Sequence, residues 1–242
     1  MNHVIMLAGG VGMRMNTHGT PKQFLSLYGK PIIIYTLEKF YLCQMIDDIV
    51  IVCHRDWISH MESLIVKYDI SKNVTIVEGG KDRQDSVNKG IAALGKDVAD
   101  SDVVLVHDSV RPLIKPEIIE QNIKQAKAHG CVMTVKPAIE TVVVSEGDEA
   151  DFAHFQQRSI TYSLTSPQSF RVDILREIVG RGNADEGGMP ILDMAMMYAH
   201  MGNKVFMVKE SDSSNIKITT PADYYYFKAT IELEESKTIL GL

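Results

Sequence analysis

Short apolar runs recur along this chain at Val4 to Leu7, Ile49 to Cys53, Val74 to Val77, Val103 to Val106 and Cys131 to Val135, and segments of helical period fill the gaps between them. Runs of this length without polar alternation suit strands buried on both faces, and helices between them cover those faces. The order therefore predicts α/β layering around a largely parallel sheet. Val87, Ile91 and Leu94 stand at i, i+4 and i+7, as do Ile119, Ile123 and Ala126, so each segment can lay one stripe on the sheet. Pro116 occupies the first position of the second helix and Gly130 lies just past its end, the usual punctuation of a helix.

From Ala138 to about Thr161 the rhythm breaks. Thr141 to Val144 is strand-like, but polar residues and Gly147 follow, which reads as a hairpin excursion. Either a plain surface hairpin or an arm that pairs with another subunit fits this pattern. Helices are then expected near Val172 to Val179 and Ile191 to His200, strands at Val205 to Val208 and Ile216 to Ile218, and a last helix opening at Pro221. On that helix Tyr224, Phe227 and Ile231 share one face, a spacing that favours packing over an aromatic ligand box. Residues 1–242 read as one domain, since neither a linker nor a repeat interrupts them.

Apolar residues make up 45% and charged residues 23% of the 242, an ordinary globular balance. Every apolar run is too short to span a bilayer, and Met-Asn-His leads straight into a strand without the parts of a secretory signal. A cytoplasmic, non-membrane protein is the expectation. The net charge of −6 argues against a nonspecific nucleic-acid binder. Cys43, Cys53 and Cys131 lack CxxC spacing and read as buried thiols, and the eight histidines form no zinc motif.

Any anionic ligand must therefore meet a local cluster of cations. The first strand runs into LAGGVGMRM, which puts Gly9, Gly10 and Gly12 at a strand's carboxyl end, where open α/β sheets bind ligands. A phosphate cradle of backbone amides is one reading; a tight strand exit is the other. Met15 stands where a GxGxxG loop needs its third glycine, and GxxxxGK[ST] is missing, so nicotinamide and Walker-type sites are disfavoured. Arg14 and Lys22 follow the glycines, the latter in a PKQF run that bends back toward the strand ends. They suit a triphosphate unless they are a solvated surface pair.

EGGKDRQDSV places Arg83 and Ser86 at a helix start, either to reach a ligand or to cap the helix, a task Asp82 or Asp85 can also perform. HDSVRP brings Asp108 and Arg111 to the same sheet edge, where a lone carboxylate suits Mg²⁺ beside phosphates and the guanidinium suits a second phosphate. A mutual surface pair is the alternative. Lys217, in NIKITTP, sits within a short apolar strand and on its own is compatible with a solvent-facing side chain.

Together, LAGGVGMRM with PKQF, GGKDRQDSV, HDSVRP, PQSF and NIKITTP stand in the order and spacing of a known family over nearly the whole chain. The sequence resembles the cytidylyltransferases that act on 2-C-methyl-D-erythritol 4-phosphate and on ribitol 5-phosphate. The resemblance implies a three-layer α/β/α Rossmann-like nucleotidyltransferase fold with a mostly parallel sheet and a protruding β-arm at about 138–161, through which two copies form a homodimer. It implies that Leu7, Ala8, Gly9, Gly10, Gly12, Arg14, Lys22, Gly80, Arg83, Ser86 and Asp108 bind CTP, with Arg83 and Ser86 on the cytidine and Asp108 on Mg²⁺. Asp108, Arg111, Ser166 and Lys217, with Thr141 and Arg158 from the partner's arm, would take the second substrate, a polyol- or sugar-phosphate; Arg14, Lys22 and Lys217 would be catalytic.

Two departures stand out. Counting from Arg158 puts Ser166, not Thr165, at the threonine of the family's usual TPQ, and Ile139 and Glu140 replace the basic residue and aspartate common in the erythritol-phosphate enzymes. LAGG, HDSVRP and KPIIIYTLEKF resemble the ribitol-phosphate branch, so D-ribitol 5-phosphate is the expected acceptor and methylerythritol phosphate the alternative. Attack by an already ionised phosphate needs no general base, in keeping with the lack of a Ser/His/Asp arrangement. A non-catalytic nucleotide-binding module is the rival from another class; retention of Arg14, Lys22, Asp108, Arg111 and Lys217 argues against it.

Overall fold

The computed structural model describes residues 1–10, 19–70, 73–95, 97–145, 147–181, 193–211 and 214–240. The chain opens with strand β1 (Asn2–Ala8), then a hairpin of β2 (Ser26–Leu27) and β3 (Lys30–Pro31), helix α1 (Ile32–Tyr41), β4 (Asp48–Cys53), α2 (Ile58–Lys67), β5 (Val74–Glu78), α3 (Arg83–Ala93) and β6 (Val103–Asp108). It continues with α4 (Pro116–His129), β7 (Cys131–Pro137), β8 (Tyr162–Arg171), α5 (Val172–Arg181), α6 (Met194–His200), β9 (Phe206–Lys209) and α7 (Pro221–Leu240).

Seven strands form one sheet in the order β5-β4-β1-β6-β8-β7-β9, parallel except for β8, which runs antiparallel to both neighbours. Every residue of β6 is buried, as a central strand covered on both faces requires. On one face Ile33, Phe40, Met61, Ile119 and Ile123 pack from α1, α2 and α4; on the other, Val87, Leu175, Ile178, Met194 and Met197 pack from α3, α5 and α6. Helix α3 lies so close that a Cβ on Gly90 would stand 2.6 Å from Ile5 Cγ2, so glycine is required there. Gly130 ends α4 at a φ of 81°, open to glycine and strained for other residues. Among the described residues no helix is long and apolar enough to cross a membrane.

Tyr224, Phe227 and Ile231 of α7 do pack rather than form a ligand box, against Leu27, Ile32 and Ile218, with Tyr35 edge-on to Phe227 at 5.2 Å. Burial lifts the Cys53 and Cys131 thiols to about 11 and about 12, as inert core groups, while Cys43 is half-buried.

Two elements differ from expectation. Residues 216–218, read as a strand, make no ladder. The segment crosses the carboxyl end of β6, where Ile218 N–H donates to Val110 O (2.9 Å). Strand β8 was not foreseen, because TSPQS is polar and Pro167 cannot donate to a ladder. Its buried polar side chains are satisfied from neighbouring elements instead: Ser169 Oγ donates to Asn122 Oδ1 (3.0 Å), and Gln168 Oε1 accepts from Ala195 N–H (3.2 Å). The helix expected from Ile191 starts at Met194, capped by Asp193, and residues 191–192 lie outside the described set.

The excursion leaves at the end of β7 and returns into β8. It doubles back through Gln156 N–H to Val142 O (2.8 Å) and Val144 N–H to His154 O (2.9 Å). Phe152 is 91% exposed, with Ile160, Ile139 and Val144 also outside, a concentration of apolar surface unusual for one projection.

At the opposite end of the sheet, buried His3 lies between Asp48 on Nδ1 (2.8 Å) and Asp102 facing Nε2 (3.5 Å), and Asp102 also takes the Met1 ammonium. Burial lowers the imidazole's pKa, but the two carboxylates outweigh it and the net shift is upward. A raised histidine stabilises fully below its ordinary value of 6.5 and loses that contribution as pH climbs through the higher folded value. The wild type's stability advantage over His3→Gln should therefore be largest near about pH 6 and shrink by about pH 9 in urea unfolding. A gap that widens with pH would refute a stabilising role for His3 between Asp48 and Asp102.

Candidate active site

The sheet reverses its winding between β1 and β6: β4 and β5 extend it to one side, β6 to the other. Over the carboxyl ends at such a switch point a crevice forms, and here it is a cleft of about 530 Å³. Leu7, Gly9, Gly10, Lys22, Gly80, Arg83, Ser86, Asp108 and Lys217 all line it, so residues spread over two hundred positions converge as the motifs implied. Gly12 and Arg14 lie outside the described residues. Ala8 is buried below the cleft.

The bend in PKQF has a specific cause. Lys22–Phe24 forms a short 3-10 turn in which Phe24 is buried and stacks on Trp57 at 4.8 Å. Gln23, only 1% exposed, donates through Nε2 to Ala8 O (2.7 Å) and Gly10 O (3.0 Å). One amide thus bolts the turn bearing Lys22 to the exit of β1. Sequence reasoning passed over Gln23, because a glutamine beside lysine reads as surface.

At the start of α3, Asp82 does the capping, accepting from Asp85 N–H at 2.8 Å. Ser86 Oγ donates to Asp82 O (2.8 Å) and accepts from Gly80 N–H (3.0 Å), which fixes the glycine turn against the helix. Arg83 is left to reach across the cleft, where its Nη1 donates to Asp108 Oδ1 at 2.8 Å.

Asp108, 6% exposed, is the focus of the site. Besides Arg83 it holds Arg111 Nε on Oδ2 at 3.2 Å and Lys217 Nζ on the same oxygen at 3.1 Å. The surface pair that the sequence left open is instead a cluster of three cations around one buried carboxylate. Burial alone would raise the carboxyl's pKa, but Arg83, Lys217 and Arg111 hold it far below the ordinary carboxylate range. The carboxylate stays ionised and the floor keeps a surplus of positive charge, an arrangement suited to anions.

His107 is fully buried and its pKa is pushed down to about 3, chiefly by burial, so the ring is neutral. Its Nε2 faces Arg111 O (3.3 Å), so Nε2 carries the hydrogen and Nδ1 accepts from Ser166 Oγ (3.1 Å). The same hydroxyl accepts from Asp108 N–H at 3.3 Å. Ser166, expected to touch substrate, is 2% exposed, and its hydroxyl braces the backbone of Asp108. Arg111 is likewise drawn inward, with Nη1 on Asn215 O at 2.9 Å. Thr141 and Arg158 are exposed on the excursion and do not line this cleft.

Among the described residues no group of three or more His, Cys, Asp or Glu could cage a metal. A single ionised carboxylate at a phosphate-sized cleft nevertheless fits Mg²⁺ arriving with a nucleotide, since that ion takes most of its ligands from phosphates and water.

The family model described as IspD, 2-C-methyl-D-erythritol 4-phosphate cytidylyltransferase, matches residues 2–233. The chain belongs to this family. It is a nucleotidyltransferase. Similar proteins include the ribitol-5-phosphate cytidylyltransferases of Vibrio parahaemolyticus, 40% identical over 242 residues, and Streptococcus agalactiae, 39% identical over 246, each match covering both chains completely. That of Lactiplantibacillus plantarum is 38% identical over 96% of this chain and 99% of its own. A solved 4-diphosphocytidyl-2C-methyl-D-erythritol synthase from Anaerococcus prevotii superposes with a TM-score of 0.81 at 24% identity, covering 96% of this chain and 98% of that one. The 2-C-methyl-D-erythritol 4-phosphate cytidylyltransferase of Francisella tularensis gives 0.74 at 24%, over 93% and 97%. These two structures bear on the fold: a mostly parallel seven-stranded sheet flanked by helices, as the motifs implied.

Proposed function

We propose that this enzyme transfers CMP from CTP to D-ribitol 5-phosphate, giving CDP-ribitol and pyrophosphate. The observation that carries the chemistry is the cluster of Arg83, Arg111 and Lys217 on Asp108, opposite the glycine exit of β1. The full-length likeness to curated ribitol-5-phosphate cytidylyltransferases supports the acceptor.

In this reading a phosphate oxygen of the acceptor attacks the α-phosphorus of CTP. The bond from that phosphorus to the bridging β-phosphate oxygen breaks, and pyrophosphate leaves with the electron pair. A phosphate monoester is already largely ionised near neutral pH, so no side chain need remove a proton. The protein's task is to hold two anions together and to offset charge in the transition state. Amides of Gly9, Gly10 and Gly12, with Arg14 and Lys22, hold the triphosphate; Leu7, Gly80, Arg83 and Ser86 meet the nucleoside side. Lys217 and Arg111 draw in the acceptor phosphate, joined by Thr141 and Arg158 from a second copy's arm. The apolar residues exposed on that arm support a homodimer. Mg²⁺, when bound, would be held by Asp108 and would neutralise phosphate charge.

The direct test offers the protein CTP and Mg²⁺ with D-ribitol 5-phosphate, methylerythritol phosphate, xylulose 5-phosphate or glycerol 3-phosphate, following pyrophosphate release and product mass. CDP-ribitol formation far above the others is expected; preference for methylerythritol phosphate would overturn the acceptor. Gln23→Met, which keeps the volume but removes both donors to the glycine exit, should raise KM for CTP about tenfold. An unchanged KM would show that Lys22 and the glycines hold their places without the bolt.

A further inference from the structure

Behind Asp108 the polar network runs on into the core. Glu210 is the first residue past β9; its backbone N–H donates to Val135 O (2.8 Å), and its side chain is buried. Its Oε1 accepts from Asn215 Nδ2 at 2.6 Å and from Thr165 Oγ1 at 3.2 Å. Asn215 Nδ2 also donates to Ser166 O (2.9 Å), while the Asn215 carbonyl accepts from Arg111 Nη1 (2.9 Å). Both residues are more than nine-tenths buried and neither lines the cleft.

Asn215 is a junction. It touches Arg111 directly, supports through its side chain the residue that braces Asp108, and stands two residues before Lys217. Arg111 and Lys217 share Asp108 Oδ2, so the spacing between them depends on where residues 214–217 lie. A merely stabilising core contact would not need this chemistry, since apolar residues in place of incompletely paired buried polar groups are often as stable or more so. Glu210 Oε2 and Asn215 Oδ1 are moreover buried without a hydrogen-bond partner among the described residues, a cost that packing alone does not explain.

We infer that Asn215, anchored by Glu210, is a positioning residue that sets Arg111 and Lys217 at the spacing required by the acceptor phosphate. This rests on the reading of those two cations given above. Ser86 and the glycine exit are anchored elsewhere, by Asp82, Gly80 and Gln23, and Arg83 meets Asp108 on the other oxygen, Oδ1, so the nucleotide side should depend far less on the pair.

The test is steady-state kinetics with CTP and D-ribitol 5-phosphate on folded protein, checked by circular dichroism. Asn215→Ala should raise KM for ribitol 5-phosphate about tenfold and leave KM for CTP within about twofold. Glu210→Leu, which cannot accept from Asn215, should behave alike, whereas Glu210→Gln keeps the Oε1 acceptor and should stay within about threefold of wild type. Should Asn215→Ala not fold, Glu210→Leu carries the same criterion. Equal rises in both KM values, or no rise for ribitol 5-phosphate, overturn the inference while the functional reading stands. A wild type that makes no CDP-ribitol removes the functional reading and this inference with it.

Discussion

Lys217→Ala is expected to lower turnover at least about a hundredfold and to leave the fold intact. The side chain is 39% exposed at the cleft, and its recorded ion pair is with Asp108. Loss of so exposed a pair should cost stability about 1 kcal/mol or less. Its catalytic weight is larger, because a fixed positive group facing developing charge typically supplies about 100- to 1000-fold. The separation between a small shift in melting temperature and a large fall in kcat is the signature to look for. A variant within about threefold of wild-type kcat would take Lys217 out of the machinery and leave it a surface partner of Asp108.

Asp108→Asn should be damaging in a different manner. The substitution keeps the shape but removes the one anion among Arg83, Arg111 and Lys217. Breaking a fully buried pair costs about 3–5 kcal/mol; with Arg83 and Lys217 each more than a third exposed, about 1–3 kcal/mol is the better expectation. Because the carboxyl's folded pKa is depressed, its stabilisation is whole above the ordinary value of 3.8 and fades as pH falls through the folded value. The stability gap between wild type and variant should therefore narrow in acid. Turnover should drop by about 100-fold or more, with a weakened response to Mg²⁺, while CTP still binds the bare cations. Unchanged magnesium dependence would remove Asp108 as the metal's ligand.

The layers were legible because a buried parallel strand is apolar throughout: Val103 to Val106 could hardly be anything else, and Val87 and Ile119 marked the faces of the helices over it. The cleft was legible because its residues occupy strand ends in glycine-rich company. What escaped were groups whose partners are distant in sequence. Nothing marked Gln23 before Ala8 and Gly10 supplied carbonyls, or β8 before Asn122 and Ala195 met its polar side chains. Counting along the motif fixed the position of Ser166 but not its surroundings, the buried bonds to His107 and the Asp108 backbone. The strand read at Ile216 to Ile218 shows the converse, for an apolar pair can mark a crossing segment as readily as a ladder.

Strands β7 and β8 are adjacent and antiparallel, and the arm is the connection between them. Its length is therefore decoupled from everything below. Residues inserted at the arm's tip, or removed there, leave Cys131 opposite Phe170 and Val132 opposite Ser169, because the register is held by buried positions on both strands. The sheet thus sets no limit on the arm's length; only what the arm itself touches can do so. For the engineer, the part of the arm away from Thr141 and Arg158 is a natural grafting point.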